Sequence, residues 1–312
     1  MDSLPKDPIL VFPPDTLQVV RKEFDLDKPG AIDRAIDILE LWLKKQDHFT
    51  KKDFSRGYLE RSIIRAKGSV ERSKERLDKI CTARVLMPDL YVFRNVREFV
   101  ELDEQTTDAL LPKLTKDYYR VFILQNYAQT FTRELFTEFY IRGFYYLEYI
   151  SAFDYANGAV IVFDYRNLNL FEFIKYLDLV QTAQLLNLAL NGYGIRVKEI
   201  HLISTSRFVN LLVSTFKQMI SEKLANRIHV HAEADALLKY IDKDILPVEY
   251  GGTEVSMKEI HKKWVHVLSS EDFMGLMKET YKAKINEALR PVKKLNDEYL
   301  GMAGTFRGLS VD

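Results

Sequence analysis

Ala159-Val160-Ile161-Val162-Phe163 is a short, unbroken apolar run dominated by β-branched residues, the pattern of a strand covered on both faces. Val121-Phe122-Ile123-Leu124 and Ile200-His201-Leu202-Ile203 read the same way, and Ile228-His229-Val230-His231 alternates apolar and polar residues. Between these runs, residues 136–149, 171–190 and 208–224 carry apolar side chains at helical spacing. Short strands separated by helices predict an α/β fold with a mostly parallel sheet. Leu246-Pro247-Val248-Glu249-Tyr250-Gly251-Gly252 is a turn signal that closes the unit. Helices are expected at 257–268 and 272–289, and a frayed tail at 301–312.

Upstream the pattern is purely helical. Asp15 is a candidate N-cap for a helix carrying Leu17, Val20 and Phe24, and Ile32, Ala35, Ile36, Leu39 and Leu43 recur on one face of a second. Thr50-Lys51-Lys52-Asp53 has capping-box form, which places the start of a third helix near Thr50, and a fourth runs from Lys67-Gly68-Ser69 to Met87-Pro88. The character changes after Pro112. Three segments are therefore expected: a helical lobe over 1–110, an α/β lobe over 111–255, and a helical tail over 256–312.

Composition excludes several classes. The 45 basic and 45 acidic residues cancel, and a dedicated nucleic-acid binder needs a basic surplus. No apolar run is long enough to span a bilayer, and Met1-Asp2-Ser3-Leu4-Pro5-Lys6 has no signal-peptide character, so a cytoplasmic protein is expected. The single cysteine, Cys81, cannot form an internal disulfide and reads as a packed side chain rather than a reactive thiol. Aromatic residues reach 12%, with 19 Phe and 17 Tyr, enough to line a large apolar cavity or to fill a core.

Catalytic patterns are missing. No glycine-rich dinucleotide or phosphate loop and no Gly-x-Ser-x-Gly elbow occurs, so no enzyme is expected. His229 and His231 share one face of a strand and could bind a metal, but no third ligand is evident and hydrogen-bonded structural histidines are favoured. Asp164, at the end of a predicted strand, reads as a cap more readily than as a catalytic acid.

Two features carry more information. Over residues 208–224 the apolar positions Phe208, Leu211, Leu212, Phe216, Met219 and Ile220 form one helical face, either a surface helix on a core or a lid over a lipid cavity. Arg196 and Lys198 share a strand face, and Lys223 and Arg227 are helical neighbours. The pairs form either a solvated surface or a cleft for a phosphorylated head group.

From Asp53 to Gly252 the chain resembles the CRAL-TRIO (Sec14-like) lipid-transfer family, in particular its alpha-tocopherol transfer protein-like and retinaldehyde-binding branch as found in insects. The resemblance rests on Ile63-Ile64-Arg65-Ala66-Lys67, on Glu71 to Leu77, on the Gly158 to Asp164 strand, on Arg196 to Ile203, on Arg227-Ile228-His229-Val230-His231 and on the closing Leu246 to Gly252 block. It implies a helical N-terminal lobe followed by a Sec14-like α/β lobe, with an apolar pocket over the sheet and the 208–224 helix as an amphipathic gate. The implied pocket residues on the central elements are Ile141, Tyr145, Phe163, Leu185, Leu188 and Tyr193. Ile200, Phe208, Leu212, Phe216 and Ile220 are implied at the gate side. Lys67, Arg196, Lys198, Lys223 and Arg227 match the cations that hold phosphatidylinositol bisphosphate in relatives.

The sequence departs from the family at Ser204-Thr205-Ser206, where Asn-x-Pro is common, and at Gln218 and Ala232, where Pro and Gly are common. Tyr145 and Ile141 are bulky where tocopherol binders have small residues, so the resemblance does not fix the ligand. The expectation is a monomeric carrier of a tocopherol-, retinoid-, carotenoid- or sterol-like molecule, with no cofactor beyond that ligand and no metal. It would visit membranes transiently through bisphosphate head groups. The alternative is a phosphoinositide-sensing scaffold without cargo.

Overall fold

In the computed structural model, which describes residues 4–290, five strands form one sheet in chain order: β1 (Thr106–Leu114), β2 (Tyr119–Asn126), β3 (Gly158–Asp164), β4 (Val197–Ile203) and β5 (Ile228–His231). β1 and β2 pair antiparallel through a tight connection, and every later pair is parallel. The expected tail at 301–312, and the part of the 256–312 segment beyond residue 290, lie outside the described residues.

β1 was not expected, because Pro112 read as a boundary between lobes. Proline lacks the N–H that an interior strand must donate, but an edge strand tolerates it. β1 is an edge strand, and its register with β2 shifts between Leu110 and Leu114, around that proline. The strand thus straddles the 110/111 border drawn from sequence.

The helical lobe consists of α1 (Thr16–Lys22), α2 (Ala31–Lys44), α3 (Arg56–Arg65) and α4 (Val70–Leu86), followed by α5 (Val100–Gln105). The third helix starts later than Thr50: Ser55 is its N-cap and accepts from Tyr58 N at 3.2 Å. Thr50 instead donates its hydroxyl to Lys282 O at 2.6 Å, a partner no local pattern could show. Asp15 precedes α1 without capping it, and its carboxylate accepts from Tyr118 Oη at 2.7 Å.

Across the sheet run α6 (Arg133–Phe153), α7 (Leu170–Tyr176), α8 (Leu179–Asn187), α9 (Val209–Lys217) and the short α10 (Glu222–Ala225). Two expected single helices are broken. The 171–190 segment divides because Leu177 is extended and Asp178 caps a new helix by accepting from Gln181 N at 2.9 Å. The 208–224 segment divides because α9 ends at Lys217 and Ser221, in extended backbone, caps α10. Asp and Ser at these positions offer the chain a competing local hydrogen bond, which outweighs continued helical periodicity.

The C-terminal helices α11 (Met257–Leu268) and α12 (Glu271–Thr280) pack into the same core as the sheet. Trp264 is fully buried and donates Nε1 to Leu110 O of β1 at 2.7 Å. The helix expected over 272–289 stops at Thr280, and Ile285 continues into a bridge with Phe49 of the helical lobe. A second cluster joins Leu17, Ile36, Leu39, Leu59 and Ile63 to Ala283 and Ile285, so this segment closes both cores.

Candidate ligand cavity and cationic seam

Strand register builds the floor of a cavity. Leu110, Phe122, Ile161, Ile200 and Ile228 are successive cross-strand partners from β1 to β5, so one row of apolar side chains crosses the sheet on one face. A parallel row contributes Phe163 and Leu202, which are themselves partners. Two-residue alternation places both rows on the same face. Above them lies a cavity of about 320 Å³ whose wall includes all of these residues, closed by α6, α8, α9 and the turn after α9 through Gly143, Leu147, Leu185, Leu212, Phe216 and Ile220.

Of the positions implied by resemblance, Phe163, Leu185, Ile200, Leu212, Phe216 and Ile220 line this cavity, and the other five do not. Ile141 and Tyr145 sit on the opposite side of α6. The cavity side of that helix is the stripe Phe136, Phe139, Gly143, Tyr146 and Ile150, whose three- and four-residue steps leave positions 141 and 145 facing away. Tyr145 Oη donates to Arg94 O at 2.7 Å and accepts from Arg94 N at 3.1 Å. Tyr193 is buried at the seam between lobes, donating to Glu148 Oε1 at 2.7 Å, an oxygen that also accepts from Arg84 at 2.6 Å. Leu188 is buried in the turn after α8, against Gly192. Phe208 precedes α9 and packs its ring 5.1 Å from Phe171. The glycine within the aromatic stripe of α6 was the available signal for the correct face, since it leaves room above the sheet.

The five cations have unequal surroundings. Gly158 has no side chain because a Cβ there would stand 2.3 Å from Arg196 O, and that close approach lets Ala159 N donate to the same carbonyl at 2.7 Å. Arg196 is thereby fixed at the entry to β4. Its guanidinium donates to Asn157 Oδ1, pairs with Glu23 at 3.6 Å and covers Phe24 at 4.6 Å, while its buried Nε has no partner. Lys67 is exposed in the turn whose Gly68 lies against the carbonyl and Cβ of Phe24. Lys198 is raised by its bond to Asp117 at 2.5 Å. Lys223 is exposed on α10, and Arg227 donates Nη1 to Val197 O.

Sequence reasoning missed Arg76. This half-buried side chain lies over Gly194, its Nη1 has no partner, and burial together with the charges of Arg72 and Arg196 lowers it to about 10. Arg72 and Arg76 are four apart on α4, a spacing that was readable. Buried donors without partners beside like charges are costly unless an anion joins them.

The remaining candidates have structural roles. Asp164 accepts from Arg166 at 2.7 and 2.9 Å and from Tyr250 Oη at 3.1 Å, tying β3 to the closing turn. In that turn Gly252 is forced, because a Cβ would lie 1.7 Å from Leu246 O. His229 and His231 stack with the buried His201, whose Nδ1 is 3.0 Å from His231 Nε2. Among the described residues no group of three metal-ligating side chains is arranged to hold an ion. Cys81 is buried, and burial pushes its thiol up to about 12. Among the described residues no helix is long and apolar enough to cross a membrane.

Residues 109–252 match the CRAL/TRIO domain family. The chain is 28% identical over 158 residues to human and orangutan (Pongo abelii) proteins named alpha-tocopherol transfer protein-like, covering 50% of this chain and 42% of theirs. It is also 28% identical over 120 residues to the mouse protein of that name, covering 38% of this chain and 35% of the relative. The matched stretch thus spans less than half the length of these relatives. The crystal structure of Sfh5 superposes with a TM-score of 0.50 at 14% identity, covering 87% of this chain and 99% of that one, a likeness of fold alone. The sheet, its apolar floor and the helices above it are a Sec14-like α/β fold, and residues 109–252 of it match the CRAL/TRIO domain.

Proposed function

We propose that the protein carries one small hydrophobic molecule of tocopherol-, retinoid-, carotenoid- or sterol-like size in this cavity, without covalent chemistry, and exchanges it at membranes. The observation that carries the proposal is the apolar cavity of about 320 Å³ above the Leu110 to Ile228 row. Loading is favoured by about 25 cal/mol for each Å² of apolar ligand surface removed from water. Phe171, which packs on Phe208, Leu179 and Val180 of α8 and Leu211 of α9, each about half exposed, would offer apolar contacts to a bilayer, and α9 is the element whose displacement would open the cavity.

Head-group recognition is assigned to Lys67, Arg196, Lys198, Lys223 and Arg227, with Arg76 added. Phosphatidylinositol bisphosphate would supply the anion that the unpartnered Arg76 Nη1 and Arg196 Nε lack. A head group that binds the open state better shifts the gate toward opening. Organic extraction and mass spectrometry of protein purified under native conditions should recover one apolar molecule per chain. Failure to recover or load any such molecule would sink the carrier reading. Charge reversal at Lys223 and Arg227 should weaken binding to bisphosphate-containing vesicles, and unchanged binding would refute the head-group assignment. The unpaired donors also favour a second reading, a phosphoinositide sensor without cargo, for which vesicle binding persists and extraction recovers nothing.

A further inference from the structure

The guanidinium of Arg196 already has an anion of the chain itself beside it. Its Nη1 lies 3.6 Å from Glu23 Oε1, and its Nη2 donates to Asn157 Oδ1 at 2.5 Å. Asn157 Nδ2 in turn donates to the other oxygen of the same carboxylate, Glu23 Oε2. One asparagine, in the turn before β3, thus clamps the acid that closes α1 against the arginine that opens β4. The Glu23 side chain is 41% exposed against 17% for Arg196, so the acid is the accessible member of the pair.

The contact leaves the arginine incompletely matched. At 3.6 Å it is an ion pair and not a hydrogen bond, and the buried Nε has no partner. Burial holds the guanidinium below its ordinary value, and the Glu23 charge only opposes that shift. Arg76, with its own unpartnered Nη1, experiences Arg72 and Arg196 as like charges, with Glu75 opposing them. Lys198 also has a resident acid, Asp117 at 2.5 Å, but that carboxylate is 66% exposed and an exposed pair adds little.

On the head-group reading, on which this inference rests, we infer that Glu23 is a counter-anion built into the cationic site, which occupies Arg196 in the free protein and must be displaced by the phosphate that binds there. A phosphomonoester carries about −1.5 to −2 charges and three acceptor oxygens, so it can replace the carboxylate and reach donors that the carboxylate leaves unmatched. Because Glu23 is tethered, it competes at a fixed effective concentration and returns to Arg196 when the phosphate leaves. Its effect is to weaken anion binding and shorten its lifetime, which keeps attachment to an anionic surface reversible.

The test measures binding of the full-length protein to phosphatidylcholine vesicles containing phosphatidylinositol bisphosphate, by co-sedimentation, and to soluble inositol trisphosphate, by calorimetry. Glu23→Gln keeps the length of the side chain and an oxygen for Asn157 while removing the charge. It should tighten both interactions by about three- to fivefold, the scale of one partly exposed ion pair, with the melting temperature little changed. Asp25→Asn removes the same charge from the same turn, at a side chain that is 88% exposed and paired with Lys28, and should alter either affinity by less than about twofold. Unchanged or weaker binding by Glu23→Gln, or a gain matched by Asp25→Asn, would overturn the counter-anion assignment while leaving the head-group reading intact. So would a gain on vesicles without one on the soluble head group, which would make Glu23 a source of general repulsion from the membrane. If neither the wild type nor Glu23→Gln binds bisphosphate vesicles above plain phosphatidylcholine, the head-group reading fails and this inference with it.

Discussion

Arg196 holds its guanidinium 4.6 Å above the ring of Phe24, so the entry to β4 and the segment after α1 share one cationic seam. Arg76 belongs to it, with like charges at Arg72 and Arg196 and an unpaired buried donor. Replacing Arg76 by Gln should therefore relieve repulsion in the free protein, leaving the melting temperature unchanged or raised. The same change should weaken binding to bisphosphate vesicles by about tenfold, the scale of one charge-assisted contact. Co-sedimentation at low and high salt, with a thermal melt alongside, checks both parts. A fall in stability would show that Arg76 is a structural residue.

Ile161 is partnered with Phe122 on one side and Ile200 on the other, at the middle of the cavity floor. Ile161→Trp should fill space that is empty and not overpack a filled core, so stability should hold or rise by about 0.5–2 kcal/mol. Binding of an apolar fluorescent probe should fall at least tenfold, since an occupied cavity cannot also hold ligand. Retained probe binding at full affinity would place the ligand elsewhere.

Tyr193 distinguishes the pocket implied by resemblance from the one present. Its hydroxyl bonds Glu148, and Tyr193→Phe should cost about 1–3 kcal/mol by leaving the buried carboxylate one donor short. Probe affinity should not change, because Tyr193 does not reach the cavity. Denaturant unfolding and probe titration on the same preparation separate the two effects.

His261 couples α11 to β1 and supplies a pH dependence. Burial alone would lower its pKa, but hydrogen bonds to Asp103 and Asp108 raise it to about 9 from 6.5. Against burial, Arg142 and His261 hold Asp108 down at about 2. Because the folded value for the histidine lies above the unfolded one, its contribution is complete below about pH 6.5 and is lost as pH rises through 9. Stability should fall by roughly 2–3 kcal/mol over that window, and His261→Gln should flatten the decline. Urea midpoints at the two ends of the window test this, and an identical slope in the variant would remove His261 as its source.

Local pattern was sufficient where one segment settles its own state. The apolar run at 159–163 reads as a strand between covered faces, and Ser69 in Lys67-Gly68-Ser69 caps the start of α4. Asp178 and Ser221 are caps inside stretches whose helical periodicity runs on past them, so periodicity alone joins the two helices that each residue separates. β1 was hidden by Pro112, whose cost in a strand depends on whether that strand lies at an edge, and edge position is a property of the sheet.

The amino-acid sequence by itself determined the fold class, the existence of an apolar helix over the sheet, and the balance of 45 basic against 45 acidic residues. Only the tertiary structure decided which face of α6 looks into the cavity and that the buried Nη1 of Arg76 lies beside the charge of Arg196 without a partner. The physical reason is range. Strand, helix and cap are chosen by residues within a few positions of one another. The rotation of a helix and the hydrogen-bond capacity left on a buried guanidinium nitrogen depend instead on partners that only packing brings near.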